Sequence, residues 1–104
     1  MEIAISSRGV EVSDALAAAT RTKIAKLDRF YEGLDQAMVH YAEQKNPRIA
    51  DKSVCEVVIE GHGHQVQCKA AAADRAAALD VAVDKLEHQL TRLKRRAGVK
   101  HQRG

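Results

Sequence analysis

The chain has 104 residues, which is one domain's worth and enough for a single modest core. Aromatics make up 3%, with no Trp and one Phe, so that core must be built from Ala, Val, Leu and Ile. Charged residues reach 30%, no apolar run approaches the ~18 residues of a membrane span, and no leader pattern opens the chain, so a cytoplasmic protein without a membrane partner is expected.

Net charge is +3, unremarkable until its placement is considered. Residues 1–84 hold 10 Lys/Arg against 13 Asp/Glu, whereas residues 85–104 hold 7 Lys/Arg and only Glu87. A mildly acidic body carries a strongly basic end, and basic blocks of this kind meet nucleic acid or simply remain solvated.

In chain order, Met1–Ser6 alternates with Ile3 and Ile5 on one face, a short strand broken by Ser7-Arg8-Gly9. Ser13 is an N-cap for a helix reaching about Tyr31, with Gly33 as its stop. Leu16, Thr20, Ile24, Leu27 and Tyr31 give that helix a core-facing stripe. Gln36–Glu43 alternates again, placing Ala37, Val39 and Tyr41 together, and Gln44–Lys52 with Pro47 is an exposed loop. Ser53–Glu60 and Gln65–Ala72 are strands joined through Gly61-His62-Gly63-His64. Pairing Gly61 with His64 puts Cys55, Val57 and Ile59 on one face with Val66, Cys68 and Ala70, so both cysteines read as reduced core residues. Asp74 caps a last helix running to about Ala97, with Gly98 ending it and residues 98–104 forming a basic tail or the start of a linker. Leu79, Val83, Leu86, Leu90, Leu93 and Ala97 form its apolar seam. The order β-α-β-β-β-α predicts an α+β domain over residues 1–97. It has a four-stranded mixed sheet, a right-handed crossover between the first two strands, and both helices on one face, as in a double-stranded-RNA-binding domain.

At 100° per residue, Lys85, His88, Arg92, Arg95 and Arg96 fall on one flank of the last helix and Asp80, Asp84 and Glu87 on the other. An ordinary solvated helix intersperses its signs to gain i,i+4 pairs; this one separates them. On the first helix Lys26 and Arg29 lie together beside the stripe, and Lys23 lies close to it, able to snorkel over the core margin or reach a partner. A positive ridge with almost no exposed aromatics suits phosphate contact on structured RNA more than base stacking. Chemistry is harder to find. His62 and His64 share a turn without a third ligand, His40 and His101 stand alone, and no GxSxG, P-loop or HExxH occurs. Neither an active site nor a metal or cofactor is expected, and an enzyme is the last of the readings.

Several segments carry a family resemblance. Asp74-Arg75-Ala76-Ala77-Ala78-Leu79-Asp80 followed by Asp84-Lys85-Leu86-Glu87-His88-Gln89-Leu90, together with Ser7-Arg8-Gly9-Val10-Glu11-Val12 and Lys23-Ile24-Ala25-Lys26-Leu27-Asp28-Arg29-Phe30, resemble the ribosome hibernation-promoting factors over nearly the whole chain. The resemblance implies the same β-α-β-β-β-α fold. It also implies a protein that binds the small ribosomal subunit and its rRNA in the mRNA/tRNA channel near the decoding centre, excluding mRNA and tRNA, blocking translation and preserving inactive ribosomes. By position it implies rRNA contacts from Lys23, Lys26, Arg29, Lys85, Gln89 and Arg92, continued by Arg95, Arg96 and Lys100. His88 stands where Arg is usual, which implies a contact that is weaker or dependent on pH; Ala76 replaces a common Tyr, and Ser7 and Gly9 alter the family's Gly-Arg-Asn turn. The ending from Arg95 looks like the place where long-form members enter a linker towards a second, dimerising domain that is absent here. The chain reads either as the first domain of a long form or as a short form. The competing readings are a generic RNA-binding module of the double-stranded-RNA-binding type and a domain whose basic flank meets an acidic partner.

Overall fold

The structure is a computed structural model that describes every residue except Pro47, Ile49, His62 and Gly104, with side chains of the last helix described as far as Arg95. Strands β1 (Glu2–Arg8), β2 (Leu34–Glu43), β3 (Ser53–Gly61) and β4 (His64–Ala72) form one sheet in the order β1-β2-β3-β4. β1 and β2 are parallel and joined through α1 (Asp14–Ala25); the other pairs are antiparallel. The α+β order expected from the sequence is the one observed. Alternation sets the register: Ile5 pairs with Val39, Val39 with Val57, and Val57 with Cys68, one apolar row across all four strands. The hairpin closes with Gly61 opposite His64, as the period-2 pattern required, and Cys55 faces the core as a free thiol beside a half-buried free Cys68.

Both helix starts follow their caps. The Leu16 N–H donates to Ser13 Oγ at 3.1 Å, and the Ala77 N–H donates to Asp74 Oδ1 at 2.8 Å. The ends depart from expectation. The first helix does not reach Tyr31; after Ala25 it tightens into a 3-10 turn over Lys26–Arg29. Residues three apart eclipse in a 3-10 turn, which keeps Leu27 stacked below Ile24, both with no exposure. Leu16 and Tyr31, the outer members of the expected stripe, are only partly buried. Gly33, at φ 84°, shapes the link into β2 and does not end a helix.

The last helix, α2 (Arg75–Arg103), does not stop at Gly98. Glycine costs a helix interior only about 1 kcal/mol relative to Ala, and it ends a helix when its φ turns positive, which Gly98 does not do. The boundary expected at residue 98 therefore lies inside a continuous helix of 29 residues, roughly 44 Å long. Its buried face is wider than the expected seam. Ala78 and Ala82 join Leu79, Leu86 and Leu90 in full burial, because alanines let the helix sit close on the sheet, while Val83 and Leu93 are only half-buried. Ala97 lies outside the described side chains.

Helix side chains also close both sheet edges. The Arg21 guanidinium donates to Ile3 O at 2.9 Å on β1, while Lys85 Nζ and Gln89 Nε2 donate to Lys69 O at 3.1 Å and Gln67 O at 3.3 Å on β4. Charged side chains on an edge strand discourage pairing with another chain.

Inside the core, Thr20 Oγ1 donates its one proton to Leu16 O at 2.7 Å, so the Tyr41 hydroxyl must donate to Thr20 Oγ1, also at 2.7 Å. That order of donors makes the pair asymmetric. Thr20→Val leaves the buried Tyr41 proton only the weak sulfur acceptor of Cys55 and should cost about 1–3 kcal/mol. Tyr41→Phe leaves Thr20 bonded to Leu16 and should cost about 1 kcal/mol, a ranking that urea unfolding of the two variants would check.

Burial pushes the Cys55 thiol up to about 12, with the neighbouring Cys68 adding to the effect, and raises the Tyr41 hydroxyl to about 12 as well. Burial also raises the Cys68 thiol. The folded chain therefore holds protons that the unfolded chain releases from the ordinary values of 9.0 and 10.0 upward. Stability contributed by these groups is complete at neutral pH and is lost as pH climbs from 9.0 towards about 12. Urea midpoints should fall across that window, and Cys55→Ala should flatten the fall.

Candidate nucleic-acid interface

The strand phases that bury Val39, Val57 and Cys68 turn the opposite residues to the open sheet face. That face is mostly polar, with an exposed Met38 beside Val58 at its centre. Glu60 accepts from Gln36 and Gln65 at 3.1 and 3.0 Å, Glu56 sits 3.9 Å from Lys69, and Ser6 Oγ meets His40 Nδ1 at 2.8 Å. His40 thus has a partner that the sequence did not reveal. Glu2, Glu56 and Glu60 on this face stand against Arg8 and Lys69, so it has no excess of positive charge to offer a polyanion. The helix side is where the cations gather.

α2 starts beside the Ala72 end of β4 and runs back over the sheet to the hairpin tip, so its basic half lies at that end of the molecule. Lys26 and Arg29, exposed on the 3-10 turn, join it there, because that turn packs on α2. His88, Arg92 and Arg95 form an exposed crest. His88 Nδ1–H donates to Asp84 O at 2.8 Å, since a carbonyl only accepts, which leaves Nε2 for a partner. On one side of the crest lies an open hollow of about 390 Å³ lined by Phe30, Glu87, His88, Thr91, Arg92 and Arg95. On the other lies a groove of about 260 Å³ between α2 and the start of β4, lined among others by His64, Gln67, Gln89 and Arg92. Arg92 is the shared wall.

The residues singled out from the sequence do not all stand together. Lys23 is spent on an ion pair with Asp80 that ties α1 to α2, so it is a strut between helices and not a free cation. Lys85 and Gln89 bond to carbonyls of the β4 edge, Gln89 within the groove that it shares with Arg92. The acidic flank faces solvent at Asp80 and Asp84 but is not isolated from cations: Asp80 meets Lys23, Asp84 sits 3.9 Å from His88, and Glu87, less exposed, lines the hollow with Arg92 and Arg95. Arg96 and Lys100 lie outside the described side chains.

Two features were missed. Phe30, the only Phe, lines a hollow of the basic crest; its place directly after Arg29 was the available signal. Arg8, Lys45 and Lys52 surround another hollow, of about 820 Å³, at the opposite end of the sheet, and sequence order gave no hint of that meeting. His64, considered with His62 for a metal, packs edge-on against Tyr31 with ring centroids 6.4 Å apart; His62 lies outside the described residues. Among the described residues, no three metal-ligating side chains cluster, and no helix is long and apolar enough to cross a membrane.

Comparison with known proteins matches this geometry to one family. The ribosome hibernation promoting factor of Salmonella typhimurium is 33% identical over 94 residues, covering 90% of this chain and 94% of the relative. The factor of the same name from Escherichia coli K12 is 29% identical over the same span. Among solved structures, the N-terminal domain of Thermus thermophilus Protein Y superposes with a TM-score of 0.77 at 33% identity, covering 89% of this chain and 99% of that one. A ribosomal subunit interface protein from Coxiella burnetii shares the fold, with a TM-score of 0.80 at 22% identity over 90% of this chain and 98% of that one. With residues 3–97 matching the family described as Sigma 54 modulation protein / S30EA ribosomal protein, the chain belongs to that family.

Proposed function

We propose that this chain is a ribosome hibernation factor of the cytoplasm. It binds the small ribosomal subunit in the mRNA/tRNA channel near the decoding centre, blocks translation and preserves inactive ribosomes. The observation that carries the reading is the exposed crest of His88, Arg92 and Arg95, with Lys26 and Arg29 beside it, on a chain whose sequence relatives are named for ribosome hibernation and whose fold is that of the Protein Y N-terminal domain. Phosphate contacts of this kind position a protein on RNA and make its affinity fall steeply with salt. No bond needs to be made or broken: occupancy of the channel would be the whole mechanism, with mRNA and tRNA excluded by volume and by charge.

The test is co-sedimentation with isolated ribosomal subunits across a salt series, with and without mRNA and tRNA already in place. The small subunit should carry the protein, less of it as salt rises and less again when the channel is filled. Equal binding to large subunits, or to any duplex RNA, would instead support a generic RNA-binding module and sink the proposal.

A further inference from the structure

We propose that the hollow between the 3-10 turn and α2 takes one unstacked nucleobase and reads it, so that the RNA contact is not made through phosphate alone. The inference rests on the RNA-binding reading and deepens it by naming a base site within the crest.

The argument starts from a residue that phosphate binding does not explain. Glu87 is half-buried and shares the hollow with His88, Arg92 and Arg95, and it has no ion pair among the described residues. A carboxylate among cations weakens a pure phosphate surface, because it repels the anion that the arginines attract. A carboxylate is, however, the right acceptor for the N–H groups on a base edge. The second residue is Phe30, half-buried, which lines the same hollow. Phe30 packs on the core, and the part of its ring left exposed in the hollow offers a contact to any base; stacking on aromatics is how single-stranded RNA is held once its bases are splayed out. The third element is the crest itself. Arg92 and Arg95, on the rim, are placed to hold the phosphates on either side of the inserted nucleotide.

The parts assign roles. Phe30 packs against the base, Glu87 accepts from its edge, Thr91 can hydrogen-bond beside Glu87, and the arginines anchor the backbone. Guanine suits the site best, since its ring N–H and amino group lie side by side and can meet both carboxylate oxygens. Uracil, which has no amino group, suits it least. Such a site prefers loops and single-stranded junctions over duplex, because a paired base cannot enter it.

Fluorescence anisotropy with labelled hexanucleotides tests the proposal, using oligouridine and its variants with G, C or A at one central position. The wild-type chain should bind the G-containing hexamer roughly ten-fold tighter than oligouridine. Glu87→Gln should erase that preference. Phe30→Leu, which keeps the apolar contact but not the ring, should weaken all hexamers by a similar factor while leaving the slope of log affinity against log salt unchanged. Equal affinity for all four hexamers, no measurable binding of any at low salt, or a G preference that survives Glu87→Gln would overturn the base site. The RNA-binding reading fails separately, if the wild-type protein does not co-sediment with small subunits.

Discussion

Arg92→Glu and Arg95→Glu together should weaken binding to the small ribosomal subunit by about a hundred-fold or more near physiological salt, with the fold intact. Both side chains are exposed on the crest, so reversing them removes no core contact and breaks no ion pair among the described residues. Each phosphate contact contributes about 0.7–0.9 to the slope of log affinity against log salt, so losing two should flatten that slope by about 1.5. The pair of measurements matters more than either alone. A variant that weakens binding without changing the slope has lost something other than phosphate contacts. Lys45→Glu with Lys52→Glu is the control, because it makes the same change in net charge at the far end of the sheet. It should weaken binding far less. Equal losses from both double variants would mean that overall charge, and not the crest, carries the affinity.

The difference between those two pairs of cations shows what a sequence can reveal about such a surface. Strand phase was legible because it is a period-2 property of local residues, and the hairpin register followed once Gly61 faced His64. The two N-caps were legible because Ser13 and Asp74 act on backbone groups three residues away. The charge map was only half legible. Turning residues about an isolated helix axis gives their direction but not what they meet there. Lys23, which the sequence left able to snorkel or reach a partner, is bonded to Asp80, 57 residues on in the chain. Lys85 looked like part of one edge with Arg92, yet it reaches a carbonyl of β4, as does Gln89, which only the family resemblance had singled out. The helix ends failed for a related reason. Gly33 and Gly98 were read as stops from residue type and Tyr31 as the end of an apolar stripe, whereas burying Leu27 under Ile24 decided where the first helix tightened.

Gly61→Ala should be among the most disruptive single changes in the chain, costing roughly 2–4 kcal/mol, while Gly63→Ala two residues away should cost about 1–2 kcal/mol. Sequence reading treats both glycines as turn residues, but they do different work. Gly63 has φ 72° and open space around the missing Cβ, so an alanine there meets only the intrinsic strain of the left-handed region. Gly61 is buried at the end of β3, where it pairs with Leu34 next to a register irregularity between Leu34 and Gln36. A Cβ there would stand 2.5 Å from Gly33 O and 2.7 Å from Leu34 Cα. Both are backbone atoms, so no side chain can rotate away and β2 itself would have to move. That movement carries a functional signature. The link ahead of β2 follows directly on the 3-10 turn with Lys26, Arg29 and Phe30, so displacing it would disturb the wall that faces α2. Gly61→Ala should therefore lower both the urea midpoint and the affinity for small subunits, whereas Gly63→Ala should lower only the midpoint, and by less. Full affinity in a destabilised Gly61→Ala protein would show that the 3-10 turn keeps its place independently of the β2–β3 pairing.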